Sequence, residues 1–401
     1  MRATILPSVA CGAVIAPPSK SMAHRALICG ALSRGSTLSN VAYSQDIEAT
    51  LRCLAAMGAV VDRREDAVRI GGLNPFAIPE GVVLDCGESG STLRFLLPLC
   101  LLSQRPVVLT GSQRLMERPL NIYEEMCREQ GLLFEREGNR ITVCGPLRAG
   151  KYAVAGNISS QFITGLLFAL SLLDEESVVE IVEPFESESY VTMTLATMSA
   201  FGIKVIRDGL RLMVNGKGVF DSHEYMVEGD YSNAAFLDGF NLLGGDVKVL
   251  GLSPESAQGD GIYKSFYRQF GGKTRAFDLS DCPDLGPVMF ALAAACGGAK
   301  FVGTARLRLK ESDRTAAMVQ ELAKFGVTAM VEENAVEIHG CELKTPNESL
   351  CGHNDHRIVM ALSLLCSKVG GVIDGVEAVA KSYPDYFDIL RRLSINVRID
   401  E

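Results

Sequence analysis

A polar cluster at the start of an apolar helix recurs six times along this chain. The clusters are Ser19-Lys20-Ser21, Gly90-Ser91-Thr92, Ser159-Ser160-Gln161, Asp230-Tyr231-Ser232, Pro283-Asp284 and Asn354-Asp355-His356. With Lys20, Ser91, Ser160, Tyr231, Asp284 and Asp355 as markers, successive copies lie 71, 69, 71, 53 and 71 residues apart. Such spacing indicates an internal repeat and limits the fold to one built from similar units.

Each marker is followed, about 40 residues later, by a second helix that is amphipathic. This helix ends at a small residue and leads into a strand, a polar turn and another strand, as in Ile47 to Val61. In the fourth copy the closing residues are Phe270-Gly271-Gly272. Each unit therefore predicts the order helix, strand, helix, strand, strand.

Six such units exceed what one hydrophobic core holds, so we expect two domains of three units each. The break between them should fall near Gly218 to Val227. A solenoid of stacked units is the alternative, but solenoid repeats are usually about 20 to 45 residues long and these are longer.

Composition excludes several classes of protein. Lys plus Arg number 39 against 48 Asp plus Glu, and a net charge of −9 has the wrong sign for a protein that coats nucleic acid or an anionic membrane. The longest apolar stretch, Phe162 to Leu173, is too short to cross a bilayer. Twelve scattered cysteines without a C-x-x-C pair predict reduced, mostly buried thiols in a cytoplasmic protein.

The first helix of each unit is apolar nearly all round, so only its polar start is expected to reach solvent. A helix start exposes unpaired N–H groups and partial positive charge, and capping alone explains Ser, Thr, Asn or Asp there. Capping does not explain the cations Lys20, Arg25, Arg94 and Arg357. If the units pack in parallel, three helix starts per domain form an anion site.

Ten motifs, in order along the whole chain, resemble those of the 5-enolpyruvylshikimate-3-phosphate synthase family, also called 3-phosphoshikimate 1-carboxyvinyltransferases. The opening motif is Ala16 to Arg25, reading APPSKSMAHR. The others are Gly87 to Arg94, Met116 to Pro119, Ser159 to Thr164, Ser187 to Tyr190, Val227 to Asp230, Cys282 to Asp284, Lys310 to Arg314, Asn354 to Arg357 and Lys381 to Phe387. One such string is weak evidence, but a collinear set is strong.

The resemblance implies an α/β (α+β) fold: a two-domain, inverse α/β barrel-like architecture in which each domain has three βαβαββ units around buried parallel helices. It implies that the first strand returns to the C-terminal domain, giving domains of residues 19–226 and of 1–18 plus 227–401. The implied reaction transfers the carboxyvinyl group of phosphoenolpyruvate to the 5-hydroxyl of shikimate 3-phosphate and releases phosphate. No cofactor, metal, nucleic acid or membrane is implied, and we expect a monomer.

The resemblance also assigns binding residues. Phosphoenolpyruvate is expected to contact Lys20, Gly90, Arg118, Gln161 and Lys381 through its phosphate side, and Arg314 and Arg357 through its carboxylate. Shikimate 3-phosphate is expected to contact Lys20, Ser21, Arg25, Ser159, Ser160, Gln161, Ser187, Tyr190, Asp284 and Lys310. Two phosphates and two carboxylates in one water-poor site require such a convergence of cations.

Proton transfer requires one group to take the proton of the attacking hydroxyl and another to protonate the methylene carbon. Asp284 is the candidate for the first role, and Glu311, supported by Lys20, for the second. Glu311 lies next to Lys310 and close to Arg314, and cations lower a carboxyl pKa, so burial and bound anions must offset them for it to act as an acid.

Two positions depart from the family pattern, which usually has Asn at position 88 and Pro at position 95, where this chain has Glu88 and Phe95. An added carboxylate repels an anion unless it points away or pairs with Arg94. Gly90 leaves room for bulkier substrate analogues, so we expect sensitivity to glyphosate.

Four other interpretations fit the sequence less well. Cys351, His353, Asp355 and His356 could ligate a metal, but the motif match explains most of this segment. An enolpyruvyl transferase acting on a UDP-amino sugar carries a reactive Cys in the loop corresponding to Gly111 to Pro119, and here there is none. A non-catalytic anion-binding relative is disfavoured by the intact Asp284 and Glu311. A phosphate-binding P-loop at Gly87 to Thr92 lacks the required Gly-Lys-Ser/Thr ending.

Overall fold

The computed structural model describes residues 1–270 and 276–400, which form two compact units. The N-terminal unit is Pro18–Glu228, and the C-terminal unit joins Met1–Pro17 to Gly229–Glu401. These borders lie within two residues of those expected from the sequence. The predicted helix end at Gly271-Gly272 lies outside the described residues.

The chain begins with two strands of the C-terminal unit, β1 (Arg2–Ile5) and β2 (Cys11–Ile15). The N-terminal unit then contains α1 (Lys20–Leu32), β3 (Ser36–Ser39), α2 (Gln45–Ala56), β4 (Val60–Arg63), β5 (Ala67–Gly71), β6 (Val83–Asp85), α3 (Gly90–Cys100), β7 (Val107–Thr110), α4 (Gln113–Glu117), α5 (Asn121–Gln130), β8 (Leu133–Glu137), β9 (Arg140–Cys144), β10 (Lys151–Ala155), α6 (Ser160–Leu170), β11 (Ser177–Val182), α7 (Glu188–Ala200), β12 (Val205–Asp208), β13 (Arg211–Val214) and β14 (Glu224–Met226).

The C-terminal unit continues with α8 (Tyr231–Leu242), β15 (Asp246–Leu250), α9 (Tyr263–Gln269), β16 (Ala276–Asp278), α10 (Gly286–Ala295), β17 (Ala299–Val302), α11 (Arg314–Lys324), β18 (Thr328–Val331), β19 (Ala335–His339), β20 (Leu350–Cys351), α12 (His356–Val369), β21 (Gly371–Asp374), α13 (Tyr386–Arg392) and β22 (Val397–Asp400). Short 3-10 helices lie at Pro75–Ala77, Gly259–Ile262, Pro283–Leu285, Ala305–Leu309 and Val376–Lys381.

The strands form small sheets with one recurring topology. In β6-β7-β9-β8, β6 and β7 are parallel and are joined through α3, whereas β9 pairs antiparallel with both β7 and β8. The sheets β10-β11-β13-β12 and β16-β17-β19-β18 repeat this order. These sheets confirm the order helix, strand, helix, strand, strand predicted from the repeat and the βαβαββ unit implied by the resemblance. The second helices begin 25 to 32 residues after the markers rather than the expected 40 or so.

Strands distant in sequence complete three of the sheets. β14 takes the first position in the sheet β14-β3-β5-β4, and β2 pairs with β15. β1 lies between β21 and β22 and is antiparallel to both, which confirms the predicted return of the first strand. Periodicity could not show these pairings, because they depend on contacts far apart in the chain.

The fourth unit is shorter than the others. Its sheet has two strands, β15 and β2, among the described residues, and α9 is followed by β16 of the next unit. This difference accounts for the one interval of 53 residues among intervals near 70. The predicted closing pair of strands is not seen in the described part of this unit.

Six buried helices begin where the polar clusters predict, within two residues of each marker: α1, α3, α6, α8, α10 and α12. Ser19, Ser89, Ser159, Asp230 and Asp355 accept hydrogen bonds from backbone N–H groups of the first turn. α10 instead continues from the 3-10 helix that holds Asp284. Burial on nearly every face leaves the helix start as the part of these helices open to a ligand.

Close packing of α3 on α6 depends on Gly165. A Cβ atom there would lie 2.3 Å from the carbonyl oxygen of Arg94 and 2.5 Å from the Tyr123 hydroxyl oxygen. That hydroxyl lies 2.8 Å from the Arg94 carbonyl oxygen, to which it donates. The absence of a side chain at Gly165 therefore permits the Arg94 backbone to approach α6 this closely.

All twelve cysteines are free, and seven are buried, which agrees with the predicted reduced thiols. Among the described residues, no helix has the length and apolar character to cross a membrane.

Candidate active site

Asp284 is the centre of a charged cluster in the C-terminal unit. Its Oδ1 atom accepts from Lys310 Nζ at 3.2 Å and from Arg314 Nη1 at 2.9 Å, and its Oδ2 atom accepts from Arg357 Nη2 at 2.9 Å. These residues come from the 3-10 helix before α10, the loop before α11, the start of α11 and the first turn of α12. Residues spread over a stretch of 74 positions, from 284 to 357, thus meet at one carboxylate.

Arg314 forms hydrogen bonds to three acidic side chains of this cluster. Its side chain is 1% exposed, and it donates to Asp284, to Glu311 Oε2 at 2.7 Å and to Asp355 Oδ2 at 2.9 Å. Asp355 also accepts from the Ser312 hydroxyl at 3.0 Å and from the backbone N–H of Arg357. A planar guanidinium offers five donors in a rigid fork and so holds several carboxylates in fixed directions, whereas an ammonium offers three donors from one freely rotating atom.

The cluster shifts the titration of its members. Burial by itself would raise the pKa of Asp284, but Arg357, Lys310 and Arg314 outweigh burial and hold that pKa well below its usual range. Burial lowers the pKa of Lys310, although Asp284 opposes this effect. Asp284 is therefore ionised at neutral pH in the absence of ligands.

Lys381 lies at the end of the last 3-10 helix and is 5% exposed. Its Nζ atom donates to the carbonyl oxygen of Asn354 at 2.6 Å. Asn354 and His353 both have a left-handed backbone, with φ of 51° and 49°, which turns the chain into α12. This turn places Lys381 next to the segment that carries Asp355 and Arg357.

In the N-terminal unit, Lys20 at the start of α1 forms an ion pair with Asp46 in the first turn of α2. The Nζ and Oδ2 atoms are 2.7 Å apart, and the side chains are 14% and 11% exposed. Asp46 was not predicted from the sequence as a site residue. The sequence shows only that an acid stands in the first turn of a predicted helix. The helix dipole explains an acid at that position as well as a functional role does.

Gly90 lies against two arginines. A Cβ at Gly90 would be 2.7 Å from Arg118 Nη1 and 3.0 Å from Arg94 Nη1. Arg94 Nη1 donates to Gln161 Oε1 at 2.8 Å, and Gln161 Nε2 donates to Ser91 Oγ at 3.0 Å. The starts of α3 and α6 and the loop after α4 therefore come together, and they include the predicted Gly90, Arg118 and Gln161.

Arg25 is 2% exposed and makes contacts within the N-terminal unit. It donates to Thr194 Oγ1 at 2.8 Å and to the carbonyl oxygens of Ser21 and Tyr190 at 2.7 and 2.9 Å. Burial lowers the pKa of its guanidinium to about 10. The structure thus brings the predicted Ser21, Arg25 and Tyr190 together and adds Thr194, which the sequence did not single out.

The predicted serines lie at helix starts. Ser159 caps α6, with its Oγ accepting from the backbone N–H of Gln161 at 3.3 Å, and Ser160 begins that helix. Ser187 precedes α7 and has a left-handed backbone with φ of 55°. All three serines therefore lie at or directly before the start of a helix.

Phe95, which replaces the usual Pro, is fully enclosed. Its ring makes edge-to-face contacts with His24 and Phe168, and the Arg25 guanidinium carbon lies 5.2 Å from its centroid. The aromatic ring thus packs beneath Arg25. Glu88 is half-buried just before α3.

Within residues 1–270 and 276–400, no group of three His, Cys, Asp or Glu side chains is arranged to hold a metal ion. His353 Nε2 lies 2.9 Å from Glu321 Oε1, and Asp355 is bonded to Arg314. Two members of the set around Cys351, namely His353 and Asp355, therefore have partners outside that set.

Comparisons with known proteins find relatives along nearly the whole chain. The family model for EPSP synthase (3-phosphoshikimate 1-carboxyvinyltransferase) matches residues 7–390. The 3-phosphoshikimate 1-carboxyvinyltransferase of Clostridium kluyveri is 39% identical, over 97% of this chain and 96% of its own length. That of Clostridioides difficile is 35% identical, over 99% and 98%.

Solved structures of other proteins share this fold. An EPSP synthase structure from Acinetobacter baumannii has a TM-score of 0.80 and 23% identity, with each chain covered completely. This likeness confirms the expected two-domain α/β fold, and the family match spans nearly the whole chain. The chain belongs to the EPSP synthase (3-phosphoshikimate 1-carboxyvinyltransferase) family.

Proposed function

We propose that this chain transfers the carboxyvinyl group of phosphoenolpyruvate to the 5-hydroxyl of shikimate 3-phosphate and releases phosphate. The observation that carries the proposal is the Asp284 carboxylate held by Lys310, Arg314 and Arg357 within 3.2 Å. Family membership and the relatives' names support the same reaction.

In this proposal Arg314 and Arg357 bind the carboxylate of phosphoenolpyruvate, and Lys20, Arg118 and Lys381 bind its phosphate, with Gly90 and Gln161 beside it. Guanidinium groups match a planar carboxylate through paired N–H donors. Ser21, Arg25, Ser159, Ser160, Gln161, Ser187, Tyr190 and Lys310 bind shikimate 3-phosphate. The backbone N–H groups at the starts of α1, α3 and α6 add directed donors for phosphate oxygens.

The chemical steps follow from these positions. The 5-hydroxyl oxygen bonds to the central carbon of phosphoenolpyruvate while Asp284 takes its proton, and Glu311, supported by Lys20, gives a proton to the methylene carbon. The resulting adduct then loses phosphate and a methyl proton, which restores the double bond. Without ligands Asp284 is a weak base, because its cations hold its pKa low. When the substrate carboxylate draws on Arg314 and Arg357, that pKa rises and Asp284 becomes the stronger base the step requires.

The test measures phosphate release from phosphoenolpyruvate with and without shikimate 3-phosphate, for the wild type and for Asp284→Ala. We expect release that depends on shikimate 3-phosphate and falls by a factor of about a hundred or more in the variant. Release with a UDP-amino sugar in place of shikimate 3-phosphate, or equal release by both proteins, would overturn the proposal.

We further propose that the enzyme acts as a monomer in the cytoplasm. Twelve free cysteines suit a reducing compartment. Sedimentation velocity of the purified chain checks the monomer, and a dimer would contradict it.

A further inference from the structure

The site residues of each repeat come from two places in it. One is the start of the buried helix, and the other is a segment 26 or 27 residues after the marker, just before the second helix or in its first turn. In the first, fifth and sixth units the residue 26 positions after the marker is Asp46, Lys310 and Lys381. Arg118 and Ser187 lie 27 positions after their markers in the second and third units. The fourth unit contributes no loop residue to the predicted site.

The loop of the fourth unit contacts the start of its own buried helix in the same way. Gln258, 27 positions after Tyr231, accepts from the backbone N–H of Tyr231 at 3.1 Å and donates to the Gly229 carbonyl oxygen at 2.9 Å. Two residues later, Asp260 hydrogen-bonds the Ser232 hydroxyl. Asp260 is 6% exposed and Gln258 is 8% exposed, so this loop packs closely against the first turn of α8.

Ser232 links this loop to the charged cluster. Arg357 Nη1 donates to Ser232 Oγ at 2.8 Å, and Arg357 Nη2 donates to Asp284 Oδ2 at 2.9 Å. A serine hydroxyl can accept from one partner and donate to another. The chain of contacts therefore runs from Asp260 through Ser232 to Arg357 and on to Asp284, all buried or nearly so.

We propose that Asp260 is a positioning residue that holds Arg357 through the Ser232 hydroxyl, and so aligns Arg357 for the carboxylate of phosphoenolpyruvate. The inference rests on the proposed function, which assigns that carboxylate to Arg357. When substrate draws Arg357 away from Asp284, the Ser232 contact remains as the second anchor of the guanidinium. Without the Ser232 contact, the Arg357 side chain can adopt other rotamers. Ordering that side chain again on binding costs free energy, so the substrate binds more weakly.

The pKa of Asp260 is shifted in the opposite direction from that of Asp284. Burial, and next the negative charge of Asp284, raise the pKa of Asp260 to about 7, while Arg357 and Ser232 oppose this rise. The charged groups facing Asp260 are Asp284, Arg357 and Asp230, and the Cys282 thiol is a further titratable group that feels its charge. A bound anion disfavours the ionised form further, so the affinity for phosphoenolpyruvate should fall as pH rises through about 7.

Steady-state kinetics of Ser232→Ala, Asp260→Ala and the double variant test the proposal. Each single variant should raise KM for phosphoenolpyruvate about tenfold, the effect of one hydrogen bond to a charged group, with kcat changed less than about threefold. Because both residues act on Arg357 in series, the double variant should be no worse than the more affected single variant. Additive effects, or single variants within about twofold of wild type, would overturn the inference.

Two further variants separate positioning from folding. Asp260→Asn keeps an acceptor oxygen for Ser232, so its KM at pH 6 should match the wild type, and the fall in affinity through about pH 7 should be absent. Asp238→Asn is the matched control, because Asp238 is a carboxylate of α8 bonded to Tyr263 rather than to the cluster; its KM should match the wild type. An Asp260→Asn pH profile identical to the wild type would contradict the inference. A wild type that releases no phosphate would overturn the proposed function itself.

Discussion

Lys20 and Asp46 form an ion pair across 26 residues of sequence, and the same repeat position carries the reversed pair Asp284 and Lys310. The Nζ to carboxylate distances are 2.7 and 3.2 Å. In each case one partner stands at the start of a buried helix and the other in or next to the loop that returns to it. The repeat therefore conserves a contact while exchanging which partner carries the positive charge.

Replacing Asp46 with Asn should impair the enzyme through Lys20. The substitution keeps the shape but removes the charge that holds the ammonium group, and both side chains are largely shielded from water. We expect kcat/KM for phosphoenolpyruvate to fall about tenfold. Asp62→Asn, which removes an exposed partner of Arg64, should leave kcat/KM unchanged. A value for Asp46→Asn within about twofold of wild type would contradict the role given to the pair.

Arg314→Lys should be destabilising even though it keeps the charge. One ammonium cannot replace the three carboxylate contacts of a guanidinium that is 1% exposed. We expect the free energy of unfolding, measured with urea, to fall by about 2 kcal/mol or more. Arg391→Lys is the control, because its pair with Asp388 is exposed and should change stability by less than about 0.5 kcal/mol. Equal stability of the two variants would refute this prediction.

Gly90→Ala should change how the site accepts bulkier analogues. The added Cβ would lie 2.7 Å from Arg118 Nη1, so the end of that arginine must move. We expect the glyphosate inhibition constant to rise more than KM for phosphoenolpyruvate, by about tenfold, because a longer ligand has less room to adjust. Gly35→Ala, where a Cβ meets nothing within 4 Å, should alter neither value. Wild-type turnover that high glyphosate does not inhibit would be evidence against the predicted sensitivity.

His24 should make stability depend on pH. Its ring is 1% exposed, with Nδ1 2.8 Å from Thr50 Oγ1. Burial, and next the charges of Lys20 and Arg25, hold its pKa well below 6.5 in the folded chain. The unfolded chain therefore binds the extra proton, and stability falls as pH drops below about 6.5, by at most about 1.4 kcal/mol per pH unit.

Urea unfolding of the wild type and His24→Gln at pH 7.5, 6.5 and 5.5 tests this pH dependence. The difference in unfolding free energy between the two proteins should shrink or reverse as the pH falls, because the variant lacks the titrating ring. His339→Gln is the control, since His339 is half exposed on a strand. Parallel curves for wild type and His24→Gln would show that His24 does not titrate on unfolding.

The sequence predicted the parts of the fold that depend on local periodicity. Polar clusters followed by apolar helices located the starts of α1, α3, α6, α8, α10 and α12 within two residues, because capping and burial leave a local signal. The shortened fourth unit was visible as an interval of 53 residues. Its cause, the two-stranded sheet of β2 and β15, was not visible.

The site was predicted only in part, because its partners meet through tertiary contacts. Motifs singled out Asp284, Arg314 and Arg357, and the structure brings these three together. Nothing local distinguished Asp46 from an ordinary acid of a first helical turn, or Asp260 from a loop residue. Each becomes informative only when the cation or hydroxyl beside it is known.

Sequence alone determined the number of units, the starts of their buried helices and the family, since these are written in spacing and in short motifs. Tertiary structure decided which strands complete each sheet, which carboxylate each cation contacts and how deeply each charge is buried. Those outcomes depend on atoms that lie far apart in the chain and within 4 Å of each other in the fold, and pairings of that kind leave no pattern along one sequence.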